Sequence, residues 1–243
     1  MLVTGNNIVT ENKRLTIQLG LSGFSFIISD LSGNTIDKGE HKLPSSSRNF
    51  KDFKQDIQSI ICSDPLLNCV YESTHIYYRT EKYTLTPKEY FNKEEAAYQL
   101  CKVHNLKDND KVLSEEIKEI GAFIAFAIPE KIIELFKNIF YNIDFYPSSL
   151  LLLKNMDKIK EKNLIRIERG YKQFDLAVFY QGKLKLINSF PISDFNSMLY
   201  FLILVTQEVV FNPKLTTIKI GGIVSEDIIT KLSTYFNKVI LCE

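Results

Sequence analysis

A run of short strands and tight turns occurs twice in this chain, and that repetition limits the folds open to it more than any other feature. The first copy has strands at Leu15–Leu21, Phe24–Ser29 and Thr35–His41, with turns at Leu21-Ser22-Gly23 and Ser32-Gly33-Asn34. The second has strands at Leu164–Glu168, Phe174–Tyr180 and Lys183–Phe190, with turns at Arg169-Gly170 and Gln181-Gly182. Apolar runs cut by small and polar residues predict a three-stranded meander each time. In both copies about 30 residues separate the first strand from the first helix, Leu15 to Arg48 and Leu164 to Asp194. Two copies of one sheet-and-helix unit explain this spacing, so the predicted class is α/β with two similar halves, residues 1–147 and 148–243.

The remaining elements follow from periodicity. Phe50, Phe53, Ile57, Ile60 and Ile61 repeat at helical spacing within Asn49–Ile61, after a loop at Leu43–Ser47. A strand pair is predicted within Val70–Thr84, and Thr86-Pro87 reads as the opening of a helix reaching about His104. Lys111–Lys118 and Ala122–Ile128 read as a hairpin around Gly121, and Pro129 opens a helix to about Tyr141. The charged stretch Lys154–Asn163 is a connector. In the second half Ser193 is the expected cap of a helix over Asp194–Phe211, ended by Pro213. A strand Thr217–Ile220, the turn Gly221-Gly222, a helix Ser225–Phe236 and a strand Lys238–Leu241 complete the order β-β-β-α-β-α-β. The first half opens the same way and carries an extra hairpin region.

Several classes of function are disfavoured. The formal charge is +1 with Lys and Arg spread along the chain, which does not suit nucleic acid held by phosphate charge. The longest apolar runs, Ala122–Ile128 and Met198–Val205, are far short of the roughly 20 residues a membrane span needs. Met1–Thr10 lacks the apolar core of a signal peptide, so the expected location is the cytoplasm. Cys62, Cys69, Cys101 and Cys242 form no C-x-x-C pair, and Cys101 with His104 has no second pair to complete a zinc site; they are expected to be reduced and mostly buried. His41, His75 and His104 form no H-E-x-x-H pattern, and no G-x-S-x-G elbow or Gly-Lys-Ser/Thr phosphate loop occurs.

Three short segments carry a resemblance. Gln18-Leu19-Gly20-Leu21-Ser22-Gly23-Phe24-Ser25, Glu168-Arg169-Gly170-Tyr171-Lys172-Gln173-Phe174-Asp175 and Ile218-Lys219-Ile220-Gly221-Gly222 resemble the two phosphate hairpins and the adenosine turn of the actin-like ATPases. That superfamily includes actin, sugar kinases, heat-shock chaperone ATPases and bacterial division and pilus-assembly homologues. The resemblance implies two ribonuclease-H-like halves in an actin-like ATPase arrangement with mixed sheets. More narrowly, Tyr83-Thr84-Leu85-Thr86-Pro87 with Phe91, and Asp175-Leu176-Ala177-Val178-Phe179 with Gly182-Lys183-Leu184 and Asn188, resemble an uncharacterised bacterial family of this fold, the domain of unknown function numbered 3822.

The resemblance implies candidate nucleotide-binding residues Gly20, Ser22, Gly23, Glu168, Gly170, Asp175, Gly221 and Gly222, because Gly- and Ser-bearing turns let backbone N–H groups approach phosphate. The hairpins depart from the pattern. Gln18 stands where Asp is expected, and an amide brings no charge to a cation. Losing one preorganised electrostatic group typically costs about 3 to 4 kcal/mol of transition-state stabilisation. Glu168 is a methylene longer than Asp, Arg169, Tyr171 and Lys172 crowd a normally small turn, and Phe174 replaces a hydroxyl. The same glycines also suit plain hairpin turns. The expectation is therefore a degenerate, non-hydrolysing actin-like protein, without catalytic residues, metal or cofactor, acting through an unknown protein partner. Val70–Ile128 is the region for that partner surface. The alternative is an ATPase or small-molecule kinase that takes ATP with magnesium and uses Glu168 or Asp175.

Overall fold

The computed structural model describes residues 9–44 and 49–242. Most of the predicted N-terminal stretch Met1–Thr10 and of the loop Leu43–Ser47 lies outside them. The chain divides into two units. The first holds the described residues up to Arg79 with His104–Leu113 and Phe126–Pro147; the second holds Thr80–Val103, Ser114–Ala125 and the residues from Ser148 onward.

The first unit is built on β1 (Val9–Gly20), β2 (Gly23–Asp30), β3 (Thr35–Lys42), α1 (Phe50–Ser63) and β4 (Val70–Tyr78). Alternation along β1 buries Leu15, Ile17 and Leu19, and the register sets them opposite Ile28, Phe26 and Phe24 of β2, so all six share one face. Asn49 caps α1 by accepting from the Asp52 N–H, and Phe53, Ile57 and Ile61, spaced four apart, are its buried stripe.

The chain then forms β5 (Tyr83–Pro87), short 3-10 turns at Lys88–Tyr90 and Lys93–Glu95, and α2 (Ala96–Cys101). After these come β6 (Asp110–Ile117), β7 (Ala122–Pro129), α3 (Glu130–Lys137) and β8 (Ile143–Pro147). β6 and β7 are sheet neighbours joined through Gly121 at φ +60, as their sequence predicts. Two expectations change. Thr86-Pro87 closes a strand instead of opening a long helix, and β4 and β5 belong to different sheets. β8 has no counterpart in the sequence reading.

A 3-10 turn at Ser148–Leu153 leads, past another at Met156–Lys158, into the second unit's sheet. It comprises β9 (Asn163–Arg169), β10 (Gln173–Tyr180) and β11 (Lys183–Pro191), then α4 (Phe195–Glu208), β12 (Thr217–Gly222), α5 (Glu226–Tyr235) and β13 (Lys238–Leu241). The cap of α4 is Asp194, one residue beyond the predicted Ser193, in a reciprocal box with Ser197. Ile165, Ile167, Phe174, Leu176, Ile218 and Ile220 meet Met198, Leu202 and Val205 of α4 and Ile228 and Leu232 of α5 in one core. Each such side chain contributes about 1.5–3 kcal/mol by leaving water. The other face meets the Ser148–Leu153 turn, where the Arg166 guanidinium donates to the Leu152 carbonyl at 3.0 Å.

The two five-stranded sheets have one plan. Their orders are β3-β2-β1-β4-β8 and β11-β10-β9-β12-β13. In each, the first three strands are antiparallel and the last two run parallel to the first. A third sheet has the order β5-β7-β6. The cysteine expectation fails in part: Cys62, Cys101 and Cys242 are exposed and Cys69 half-buried, all as free thiols.

Candidate nucleotide site

In the first unit, Gly20 and Gly23 are the closing pair of the β1–β2 hairpin, and Leu21 and Ser22 are its two turn residues. Leu21 is 71% exposed, and the Ser22 carbonyl accepts from the Leu43 N–H at 3.1 Å. Gln18 lies directly across from Ser25 on one side and Tyr77 on the other. Tyr77 stacks on Tyr146 of β8 with ring centroids 5.2 Å apart. Beside it the Tyr78 hydroxyl is pushed up to about 12, by burial first and by the Asp110 charge second.

The second unit gathers five of the sequence-predicted residues. Across its sheet Ser189, Asp175, Glu168 and Gly221 occupy one row, each opposite the next. Residues directly opposite in a sheet project from the same face. Asp175 has no solvent exposure; its Oδ1 accepts from Ser189 and its Oδ2 from Ser148, both at 2.6 Å. Glu168 is also buried, and its carboxylate lies under the glycine pair. A Cβ on Gly221 would stand 3.0 Å from Glu168 Oε2. Gly222 adopts φ +81, and a Cβ there would meet the Arg169 carbonyl and stand 2.7 Å from Glu168 Oε1. Glycine is thus required at 222 by both backbone angle and space.

The hairpin and the glycine turn are also bonded to each other. The Ile223 N–H donates to the Arg169 carbonyl at 2.9 Å, and the Arg169 guanidinium, its pKa lowered by burial, donates to the Ile223 carbonyl. At the hairpin tip the Gly170 N–H donates to Gln173 O at 2.8 Å, while Lys172 points to solvent and its carbonyl accepts from Ile192 N–H. Phe174, standing where a hydroxyl residue was expected, is fully buried in the core.

Gly20, Ser22 and Gly23 belong to the first unit, and Glu168, Gly170, Asp175, Gly221 and Gly222 to the second. The sequence reading missed Ser148, Ser189 and Tyr83, whose oxygens lie beside Asp175 or one bond removed from it. A signal existed: Asp175 is the one charge in the otherwise apolar run Phe174–Phe179, and a buried charge needs donors. In the inserted segments, Lys88, Phe91, Lys93, Ser114, Glu116 and Phe123 line an open groove; Phe91 and Phe123 stack at 4.2 Å and Lys88 pairs with Glu116 at 2.6 Å. Among the described residues no helix is long and apolar enough to cross a membrane, and no three His, Cys, Asp or Glu side chains gather as a metal site.

Comparison with known proteins fits this arrangement. The family model described as "Protein of unknown function (DUF3822)" matches residues 4–239. A Bacteroides thetaiotaomicron protein of actin-like ATPase fold and unknown function is similar over 96% of this chain and 91% of its own, with 20% identity and a TM-score of 0.80. A structure of the PilM–PilN type IV pilus biogenesis complex is similar over 95% of this chain and 88% of its own, with 11% identity and a TM-score of 0.62. No curated protein matches the sequence. The fold is that of the actin-like ATPases.

Proposed function

We propose, on the premise that the chain belongs to the DUF3822 family of unknown function and has the actin-like ATPase fold, that it is a non-hydrolysing member working as a scaffold or regulatory partner. The observation that carries this reading is the filling of the glycine turn by the protein itself. The space beside Gly222 is taken by Arg169 and Glu168, so the glycine answers to its own chain and leaves no cradle on that side. Two further features support it. Gln18 brings no charge to the first hairpin, and both oxygens of Asp175 already accept from serines. By this test the residues fit a magnesium nucleotide poorly: magnesium rests on one or two carboxylates with phosphate oxygens and water. We place the division between the ancestral halves at 147/148, where β8 ends and the turn leading to β9 begins.

The PilM structure is a complex with a second protein, PilN, which shows that one neighbour of this fold assembles with a protein partner. For this chain we assign the partner surface to the region Val70–Ile128.

One observation favours an enzyme instead: Glu168 and Asp175 stand directly opposite on one face of the sheet, the kind of carboxylate pair phosphoryl transfer uses. A steady-state phosphate-release assay with ATP and magnesium on wild type and Glu168→Ala separates the readings. No release above background in either protein is the expected result. Release in wild type that disappears in Glu168→Ala would establish the ATPase or kinase.

A further inference from the structure

The buried oxygens around Asp175 do more than satisfy a carboxylate. Ser189 Oγ, which bonds Asp175 Oδ1 at 2.6 Å, also lies 3.3 Å from the hydroxyl of Tyr83. A serine hydroxyl has one proton to donate and an ionised carboxylate can only accept. Ser189 therefore gives its proton to Asp175 and has its lone pairs left for Tyr83, whose hydroxyl also meets the Ser149 side chain. Burial first, and the Asp175 charge next, push the Tyr83 phenol well above its ordinary value, so it keeps its own proton. Ser189 and Ser148 each donate to one carboxylate oxygen of Asp175, and the Tyr83 hydroxyl sits against Ser189 and Ser149.

These residues come from separate places. Tyr83 and Ser189 are 106 positions apart. Tyr83 opens β5, at the start of the inserted segment Thr80–Val103; Asp175 and Ser189 lie on the neighbouring strands β10 and β11, β11 being the sheet's edge. Elsewhere the segment is held at its edges, by the pairing of β5 with β7, by Phe91 stacked on Phe123 and by Lys88 paired with Glu116, and it buries little. Of Thr80–Val103 only Thr80, Tyr83, Ala96 and Leu100 are buried, and Tyr90, Tyr98 and Val103 are exposed at 61% or more. A region with few buried side chains opens at low cost.

We propose that Tyr83, Ser189 and Asp175 form a clasp that fastens β5, and with it Thr80–Val103, to the sheet of the second unit, and that the segment opens far more often when the clasp is broken. The clasp is a positioning device, and it stands whether or not the chain turns over nucleotide. It makes the inserted segment a movable part whose closed position is fixed from within the second unit.

Hydrogen–deuterium exchange by mass spectrometry on the full chain tests this. Wild type is compared with Tyr83→Phe, Ser189→Ala and the double variant. Tyr83→Phe is expected to speed exchange across residues 83–103 roughly tenfold, as loss of a hydrogen bond feeding a charged acceptor does, while α4 and β1 exchange as in wild type. Because both substitutions break the same Tyr83–Ser189 link, the double variant is expected to speed exchange by less than the product of the two single effects. Exchange over 83–103 within about twofold of wild type in Tyr83→Phe, or effects that multiply in the double variant, would overturn the clasp. Tyr83→Phe keeps the buried ring, so it carries the test by itself if Ser189→Ala is not recovered folded.

Discussion

The two sheets share strand order, strand sense and the register of their central row, yet that row holds different chemistry. In the first unit it reads Glu40, Ser25, Gln18, Tyr77 and Tyr146. In the second it reads Ser189, Asp175, Glu168 and Gly221. Where one unit has Tyr77-Tyr78, the other has Gly221-Gly222; where one has an amide and a hydroxyl, the other has two buried carboxylates. The alternating apolar residues on the opposite face keep the sheet. The row facing away from that core is where the two sheets differ in chemistry.

Matched substitutions in the two rows test that difference. The largest effect is expected for Asp175→Ala, which leaves the Ser148 and Ser189 hydroxyls without their acceptor. Unfolding free energy from denaturant titration should fall by about 3 kcal/mol, against about 0.5 kcal/mol or less for Ser25→Ala at the matching position. Equal losses would mean that the rows do not differ as described. The glycines give a second contrast. Gly222→Ala puts a Cβ against Arg169 and Glu168 in a left-handed conformation and should cost about 2 kcal/mol or more, whereas Gly20→Ala, with its nearest atom 3.5 Å from the added Cβ, should cost about 0.5 kcal/mol or less.

The smallest effect lies in the matching helix caps. Asn49 caps α1 and does not titrate; Asp194 caps α4, and the backbone and side-chain hydrogen bonds of Ser197 hold its pKa below the ordinary aspartate value. A depressed carboxylate contributes stability above its unfolded pKa and loses it as pH falls through the folded one. Amide exchange in the first turn of α4 should therefore rise in acid by more than the chemical rate change, and Asp194→Asn should remove that pH dependence. An equal acid response at the first turn of α1 would show that the cap is not its source.

The repeated meander was legible because apolar alternation and small-residue turns are local signals, and α1 was legible from Phe53, Ile57 and Ile61. Two elements were not. Ile143–Pro147 is a five-residue strand whose apolar residues give no lasting period, and its pairing with β4 is set by residues 69 positions away. Thr86-Pro87 satisfies the local rules for a helix start, but β5 pairs with β7 and the sheet overrides them. At the site, Glu168, Asp175 and the glycine pair could be named from sequence. Their alignment in one row could not, since register is a property of strand pairing, and neither could the serines that occupy Asp175.

Calorimetric titration of the full chain with ATP and magnesium is the most direct test of whether the second row is closed to nucleotide. No binding heat up to millimolar ATP is the expected result. One-to-one binding at micromolar ATP, abolished by Glu168→Ala in a protein that remains folded, would contradict it.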